Sequence, residues 1–190
     1  EEIGTLRDST SLAFRFVTDS KMLRFRWRQR DGKGMYHMPT TGTSGLDVYR
    51  RTGDGEYHAI RPLVPRSPAQ GKELYSQIPW QPGDECLVYL PPYDGVLSFA
   101  VGRDAGSELT PAPAHRGADK PVVLYGHSIT QGGCASRAGL AWTAVVGRRI
   151  DVEIVNLGLS GSALMEIEWA RALGELDPSV FVIDTADNQT

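Results

Sequence analysis

The 190-residue chain contains only two cysteines, Cys86 and Cys134. Two are too few for a disulfide scaffold, and they lack the close spacing of a metal-binding pair. They read as two reduced, partly buried thiols. No apolar run approaches the roughly 20 residues of a membrane helix. No charged segment followed by a short apolar stretch opens the chain as a secretory leader would. Neither sign of charge dominates: 20 Lys plus Arg face 23 Asp plus Glu, a net charge of −3. That balance argues against a dedicated nucleic-acid binder. The hydrophobic fraction of 41% and the charged fraction of 23% are ordinary for a globular protein. The length suits one domain or two small ones. The compartment is left open: cytoplasmic by default, secreted or periplasmic if a leader was removed.

The first hundred or so residues read as short strands between turns. Leu12, Phe14 and Phe16 alternate with Ala13, Arg15 and Val17, a half-buried strand pattern. The alternation is sharper further on, where Leu23, Phe25 and Trp27 take one face and Arg24, Arg26, Arg28 and Arg30 the other. Residues 46–52, 57–61, 74–78, 86–90 and 96–101 are further strand candidates. Turn sequences such as Gln81-Pro82-Gly83-Asp84 and Pro92-Tyr93-Asp94-Gly95 separate them. This spacing predicts an antiparallel β-sandwich over residues 1–110. Residues 1–110 hold 14 basic and 14 acidic side chains, so the arginine row is expected to be a solvated face paired with acids on neighbouring strands.

Residues 111–120 are rich in Pro, Ala and polar groups and read as a linker. After Pro121 the grammar changes to apolar strands at 122–125, 152–157 and 180–183, alternating with helical patterns at 138–149 and 163–173. That order predicts an α/β domain over 121–190 with a parallel sheet covered on both faces. Sites in such sheets lie at the strand C-termini.

Three strand ends finish on small or polar residues. The first runs Tyr125-Gly126-His127-Ser128-Ile129-Thr130. A serine just past a buried parallel strand can be held in a tight turn with its hydroxyl exposed; Ser128 also suits a plain helix cap. The second runs Asn156-Leu157-Gly158-Leu159-Ser160-Gly161, where Gly161 can expose an N–H to a ligand or simply relax a turn. The third reaches Asp187 and Asn188, a carboxamide donor or a turn former. Taken together, a hydroxyl, an amide hydrogen and a carboxamide would converge as a nucleophile with oxyanion donors.

These three segments resemble the first three blocks of SGNH (GDSL-type) hydrolases. Gly45-Leu46-Asp47-Val48-Tyr49 resembles the Gly-x-Asp-Leu-Tyr signature of a branch with an N-terminal β-domain. The resemblance implies a flavodoxin-like second domain and an acyl-ester hydrolase. In that reading Ser128 is the nucleophile, and the Ser128 N–H, the Gly161 N–H and the Asn188 side chain form the oxyanion hole. It implies a small or carbohydrate ester as substrate, with no metal and no cofactor. The third block departs from the family's Gly-x-Asn-Asp, running Ala186-Asp187-Asn188-Gln189. The family's Asp-x-x-His base motif has no counterpart: His37, His58, His115 and His127 all stand at or before the nucleophile. The expectation is therefore a truncated hydrolase domain that is inactive alone. His127 is expected to point away from Ser128, and His115 to lie unoriented in the linker.

A doubly apolar strand at Val180–Ile183 should be an interior one, so self-association or a partner covering that edge is expected. The alternative function is a non-catalytic glycan-binding sandwich attached to a decayed hydrolase half, using Tyr36, Tyr49, Tyr57, Trp80 or Tyr93 as stacking platforms. Nucleotide binding at Gly126–Gly133 is disfavoured by the absence of a phosphate-loop lysine and by the glycine spacing.

Overall fold

The computed structural model describes residues 7–32, 34–64 and 71–186. The N-terminal part forms two antiparallel sheets. One has five strands in the order β4 (Tyr57–Leu63), β3 (Leu46–Arg51), β6 (Glu85–Tyr89), β1 (Ala13–Thr18) and β8 (Leu109–Pro111). The other runs β5 (Glu73–Pro79), β2 (Met22–Gln29), β7 (Val96–Gly102). A single-turn helix, α1 (Thr40–Thr43), precedes β3. Phe16, Leu23, Phe25, Trp27, Val48, Ile78 and Val88 interdigitate between the sheets as one buried core, which makes the unit a β-sandwich.

On β2 the alternation is realised directly. Leu23, Phe25 and Trp27 are buried while Arg24, Arg26 and Arg28 are exposed. Arg24 pairs with Asp104 at 3.0 Å, and Arg30 with Asp8 at 3.1 Å.

Two strands break the alternation. Every residue from Leu46 to Tyr49 on β3 and from Glu85 to Val88 on β6 is buried. Their second face is covered by the C-terminal part of the chain. There β9 (Val122–Gly126) is the middle strand of a parallel sheet ordered β10 (Ile154–Gly158), β9, β11 (Val180–Asp184). This is the 2-1-3 strand order with which flavodoxin-like sheets begin. Helices α2 (Ser128–Gln131), α3 (Trp142–Ile150) and α4 (Ile167–Leu173) connect the strands. The helical pattern at 138–149 is divided, because Ala141 is extended (φ −54°, ψ 136°) between a 3-10 turn at Ala138–Leu140 and α3. α4 starts later than the periodicity suggests, since Ala163 and Met165 take left-handed φ of 64°.

The Gly45–Tyr49 signature lies across this junction. Leu46 and Val48 enter the sandwich core. Asp47, fully buried, accepts the Gly139 N–H at 3.0 Å and faces Arg137 at 3.7 Å. Tyr49 lies flat against Gly139, where any Cβ would collide with its ring, and carries the Arg148 guanidinium 4.1 Å above it. At the sheet edge, the Ser11 hydroxyl donates to the Ile154 carbonyl at 3.0 Å and accepts the Asn156 N–H at 2.8 Å. It thereby occupies the free side of β10.

An ion network crosses the same junction. Glu85 accepts from Arg15 at 2.7 Å and from the Tyr57 hydroxyl at 2.9 Å. Arg51 donates to Asp151 at 2.8 Å. His115 corrects the expectation of an unoriented linker residue: its Nδ1 lies 3.0 Å from the Asp151 carboxylate, and the Gly117 N–H donates to the Asp151 carbonyl at 2.8 Å. Composition reports a flexible segment; the contacts hold it.

The strand β11 pairs with β9 and, among the described residues, with nothing on its other side. Its Val180, Phe181, Val182 and Ile183 are 36–57% exposed. It is thus an edge strand here, in place of the interior position its doubly apolar pattern implies.

Burial alone would raise the Asp151 carboxyl, yet hydrogen bonds from Arg51 and His115 hold it below its ordinary value. A depressed carboxyl contributes stability that is complete above its unfolded value, about pH 4, and is lost as the pH falls through the folded value. Asp151→Asn is expected to lower unfolding stability by about 1 kcal/mol at pH 7. Denaturant melts at stepped pH check this: the two proteins should converge below about pH 4, and a constant gap down to acid would exclude the linkage.

Candidate active site

The register of the parallel sheet brings three strand ends to one level. Gly126 stands opposite Gly158 on one side and Asp184 on the other. Ser128 follows Gly126 by two residues and Gly161 follows Gly158 by three. Asn188 and Asp187 lie outside the described residues.

Close approach explains the glycine at 126, since a Cβ there would meet Thr130 Oγ1 and the Asp184 carbonyl. The His127 imidazole turns inward. It is 3% exposed, its Nδ1 accepts the Ile129 N–H at 3.3 Å, and its Nε2 lies 3.5 Å from Asp184. Both ring nitrogens thus face groups of the fold, Ile129 and Asp184. Asp184 also accepts from Thr130 Oγ1 at 2.6 Å.

Ser128 opens α2 and is half-buried. Its carbonyl collects three donors: Gly133 N–H at 2.7 Å, Tyr93 O–H at 3.0 Å and Gly132 N–H at 3.2 Å. Gly132 ends α2 in the left-handed region at φ 112°, where glycine carries no Cβ penalty. The turn Leu159–Ser162 closes with Ser162 N–H on the Leu159 carbonyl at 3.0 Å, and Gly161 at φ 72° occupies its third position, as a type II turn requires. Among the described residues the N–H groups of Ser128 and Gly161 donate no hydrogen bond.

Two buried amides that pattern reasoning did not single out hold these turns together. Gln131 accepts the Ser160 N–H at 2.7 Å and donates to the Pro92 carbonyl at 2.7 Å and to Asp8 at 3.3 Å. Asn156 accepts the Gly158 N–H at 2.8 Å and donates to the Thr130 carbonyl at 2.7 Å and Thr143 Oγ1 at 2.9 Å. A polar residue beside a glycine turn is the only sequence trace of either role.

No group of three or more potential metal ligands is found among the described residues. Among the described residues no helix is long and apolar enough to cross a membrane. A cavity of about 600 Å³ lies between the outer face of the five-stranded sheet and α3 with β10, lined in part by Arg15, Tyr89, Arg148 and Ile154. Ser128 is not among its lining residues. The aromatic platforms required by a glycan-binding sandwich are mostly lost to packing. Tyr49, Trp80 and Tyr93 are buried and Tyr57 is half-buried, which leaves Tyr36 exposed.

Residues 3–109 match the N-terminus of SGNH-hydrolase-type esterases. Residues 119–190 match the GDSL-like lipase/acylhydrolase family. The chain belongs to the SGNH (GDSL-type) hydrolases, in the branch that carries the Gly-x-Asp-Leu-Tyr β-domain.

Among solved structures, it is similar to a protein assigned as a GDSL-like lipase from Bacteroides ovatus, with 30% identity and a TM-score of 0.85 over 97% of this chain and 53% of that one. Two more distant likenesses show the fold alone. The salicylyl-acyltransferase SsfX3 from a tetracycline biosynthetic pathway has 18% identity and a TM-score of 0.70, over 94% of this chain and 48% of that one. A family two carbohydrate esterase from Clostridium thermocellum, solved in complex with cellohexaose, has 13% identity and a TM-score of 0.55, over 93% and 58%. The chain therefore spans about half the length of these structures. A comparison with the curated proteins finds no match.

The two turn glycines should respond differently to substitution. A Cβ at Gly158 would run into the Gln131 backbone, whereas one at Gly161 meets open space and only the cost of a positive φ. Gly158→Ala is expected to cost about 3 kcal/mol, at the upper end for overpacking. Gly161→Ala should cost about 1 kcal/mol. Thermal unfolding of the two variants checks the order.

Proposed function

We propose that the chain carries the nucleophile and oxyanion half of a serine acyl-ester hydrolase. The observation that supports this reading is the shared register at Gly126, which sets the strand ends that lead into Ser128 and Gly161 beside the end of β11 at Asp184. Ser128 Oγ attacks the ester carbonyl carbon while a general base takes its proton. The carbonyl π electrons move onto oxygen, and the oxyanion is met by the N–H groups of Ser128 and Gly161 and by the Asn188 carboxamide. Collapse expels the alcohol, which takes the proton from the base, and water then hydrolyses the acyl-enzyme by the same steps.

Neither unpaired N–H has to break a hydrogen bond before it can serve, which suits preorganised charge stabilisation. A general base for Ser128 is not offered by the described histidines. His127 is committed to Ile129 and Asp184, and His115 faces Asp151. His37 and His58 stand exposed on the β-domain. The reading therefore includes low turnover by residues 1–190 alone. The family resemblance supports a small or carbohydrate ester as the substrate class. The exposed strand β11 supports a covering partner as part of the same reading. The glycan-binding alternative loses ground because three of its five platforms are buried.

A fluorophosphonate probe on the full-length gene product is expected to add one adduct, located at Ser128 by peptide mass spectrometry and abolished by Ser128→Ala. Asn188→Ala should lower kcat on p-nitrophenyl acetate by about 10²–10³. Adduct formation at another residue, or residues 1–190 matching the full-length rate, would overturn the respective halves of the reading.

A further inference from the structure

The turn between β6 and β7 has the composition of an exposed hairpin tip, Pro91-Pro92-Tyr93-Asp94-Gly95, and every residue of it is buried. It is fixed from one side by the β-domain itself. The Asp94 carboxylate accepts the N–H groups of Asp31 at 3.1 Å and Gly32 at 3.0 Å. The Asp94 carbonyl accepts Ser9 N–H at 3.0 Å, and the Gly95 carbonyl accepts Arg30 N–H at 2.7 Å. Gly95 is packed so closely on the Arg7 carbonyl that a Cβ would lie 2.6 Å from it.

From its other side the turn reaches into the α/β half at two points. The Tyr93 hydroxyl donates to the carbonyl of Ser128, and the Pro92 carbonyl receives Gln131 Nε2. The second arm continues, because the other end of the Gln131 amide holds Ser160 N–H, the residue before Gly161. One rigid turn thus touches the peptide that follows the serine and, through one side chain, the Leu159–Ser160 peptide, one before the peptide that carries the Gly161 N–H.

The Ser128 carbonyl needs no third donor to be satisfied, since Gly132 and Gly133 already supply two. A phenol added to them fixes the plane of the peptide after Ser128. A glycine at 161, with no side chain to fix it, depends on its neighbours for orientation, and Ser160 is anchored by Gln131. Burial pushes the Tyr93 phenol up to about 12, so it remains a donor throughout neutral and mildly alkaline conditions.

We infer that the β-domain works in the ester-cleaving site, with Tyr93 and Gln131 as positioning residues that set the Ser128 turn and the Gly161 N–H against each other. The inference rests on Ser128 being the nucleophile, and two readouts separate the two claims. Tyr93→Phe in the full-length product is expected to lower kcat on p-nitrophenyl acetate about tenfold with KM within about twofold. Amide exchange of the 128–134 and 159–163 peptides should speed up about tenfold, as for a loosened local opening. Tyr57→Phe removes a phenol that bonds Glu85 at the same domain junction, and it is expected to change neither quantity. Unchanged exchange in Tyr93→Phe, or unchanged kcat, overturns the positioning role. Full esterase activity in Ser128→Ala overturns the nucleophile reading instead, and the exchange result on Tyr93→Phe then still decides whether the phenol holds the turn.

Discussion

The outer face of the five-stranded sheet has to be covered, and the rest of the molecule is arranged around that requirement. β3 and β6 present Asp47, Tyr49, Glu85 and Leu87 on the side away from the sandwich core, and all four are buried. A buried carboxylate without partners costs several kcal/mol. Burial raises the Asp47 carboxyl, while Arg137 and the Gly139 N–H pull it back. Both partners come from the segment between Ser128 and α3. The α/β half therefore supplies the partners of the buried Asp47 carboxylate, through its Oδ2. The α/β half in turn has the free side of β10 occupied by Ser11. Each half removes a liability of the other, an uncovered polar face in one case and an open strand edge in the other.

Much of this organisation is legible in the sequence, and the physical reason is periodicity. On β2 a period of two separates Leu23, Phe25 and Trp27 from the arginines, and both the strand and its faces follow from it. The continuous apolar run of β9 marks a strand covered on both sides. The convergence of the strand ends that lead into Ser128 and Gly161 follows from parallel pairing; the roles proposed for those two residues come from the family resemblance, because each alone also suits a plain cap or turn.

What pattern does not carry is the identity of what lies across an interface. The residues of β3 read only as a strand candidate, and the second face of Asp47 and Tyr49 is decided by residues some ninety positions later. Gln131 and Asn156 act through amide geometry, which no spacing rule records. His115 and Pro92-Tyr93 sit in segments whose Pro, Gly and Asp content signals exposed loops, and tertiary contacts override that signal. Asn188 remains an expectation of the family pattern, beyond the described residues.

The arrangement also gives the site a direction. Ser128 follows the central strand of three, and the β-domain closes one flank through Ser11 beside β10 and through Tyr93 beneath α2. On that flank the polar groups are paired: Gln131, Asn156 and the Ser128 carbonyl have their partners within hydrogen-bonding distance. The other flank is β11, with its apolar side chains exposed and Asp184 already engaged with Thr130 and His127. Under the proposed reading, a general base for Ser128 would come from outside the flank that the β-domain closes, and the exposed Val180–Ile183 lie on the remaining flank, so the covering of β11 and the completion of the proposed catalytic set pose one structural question.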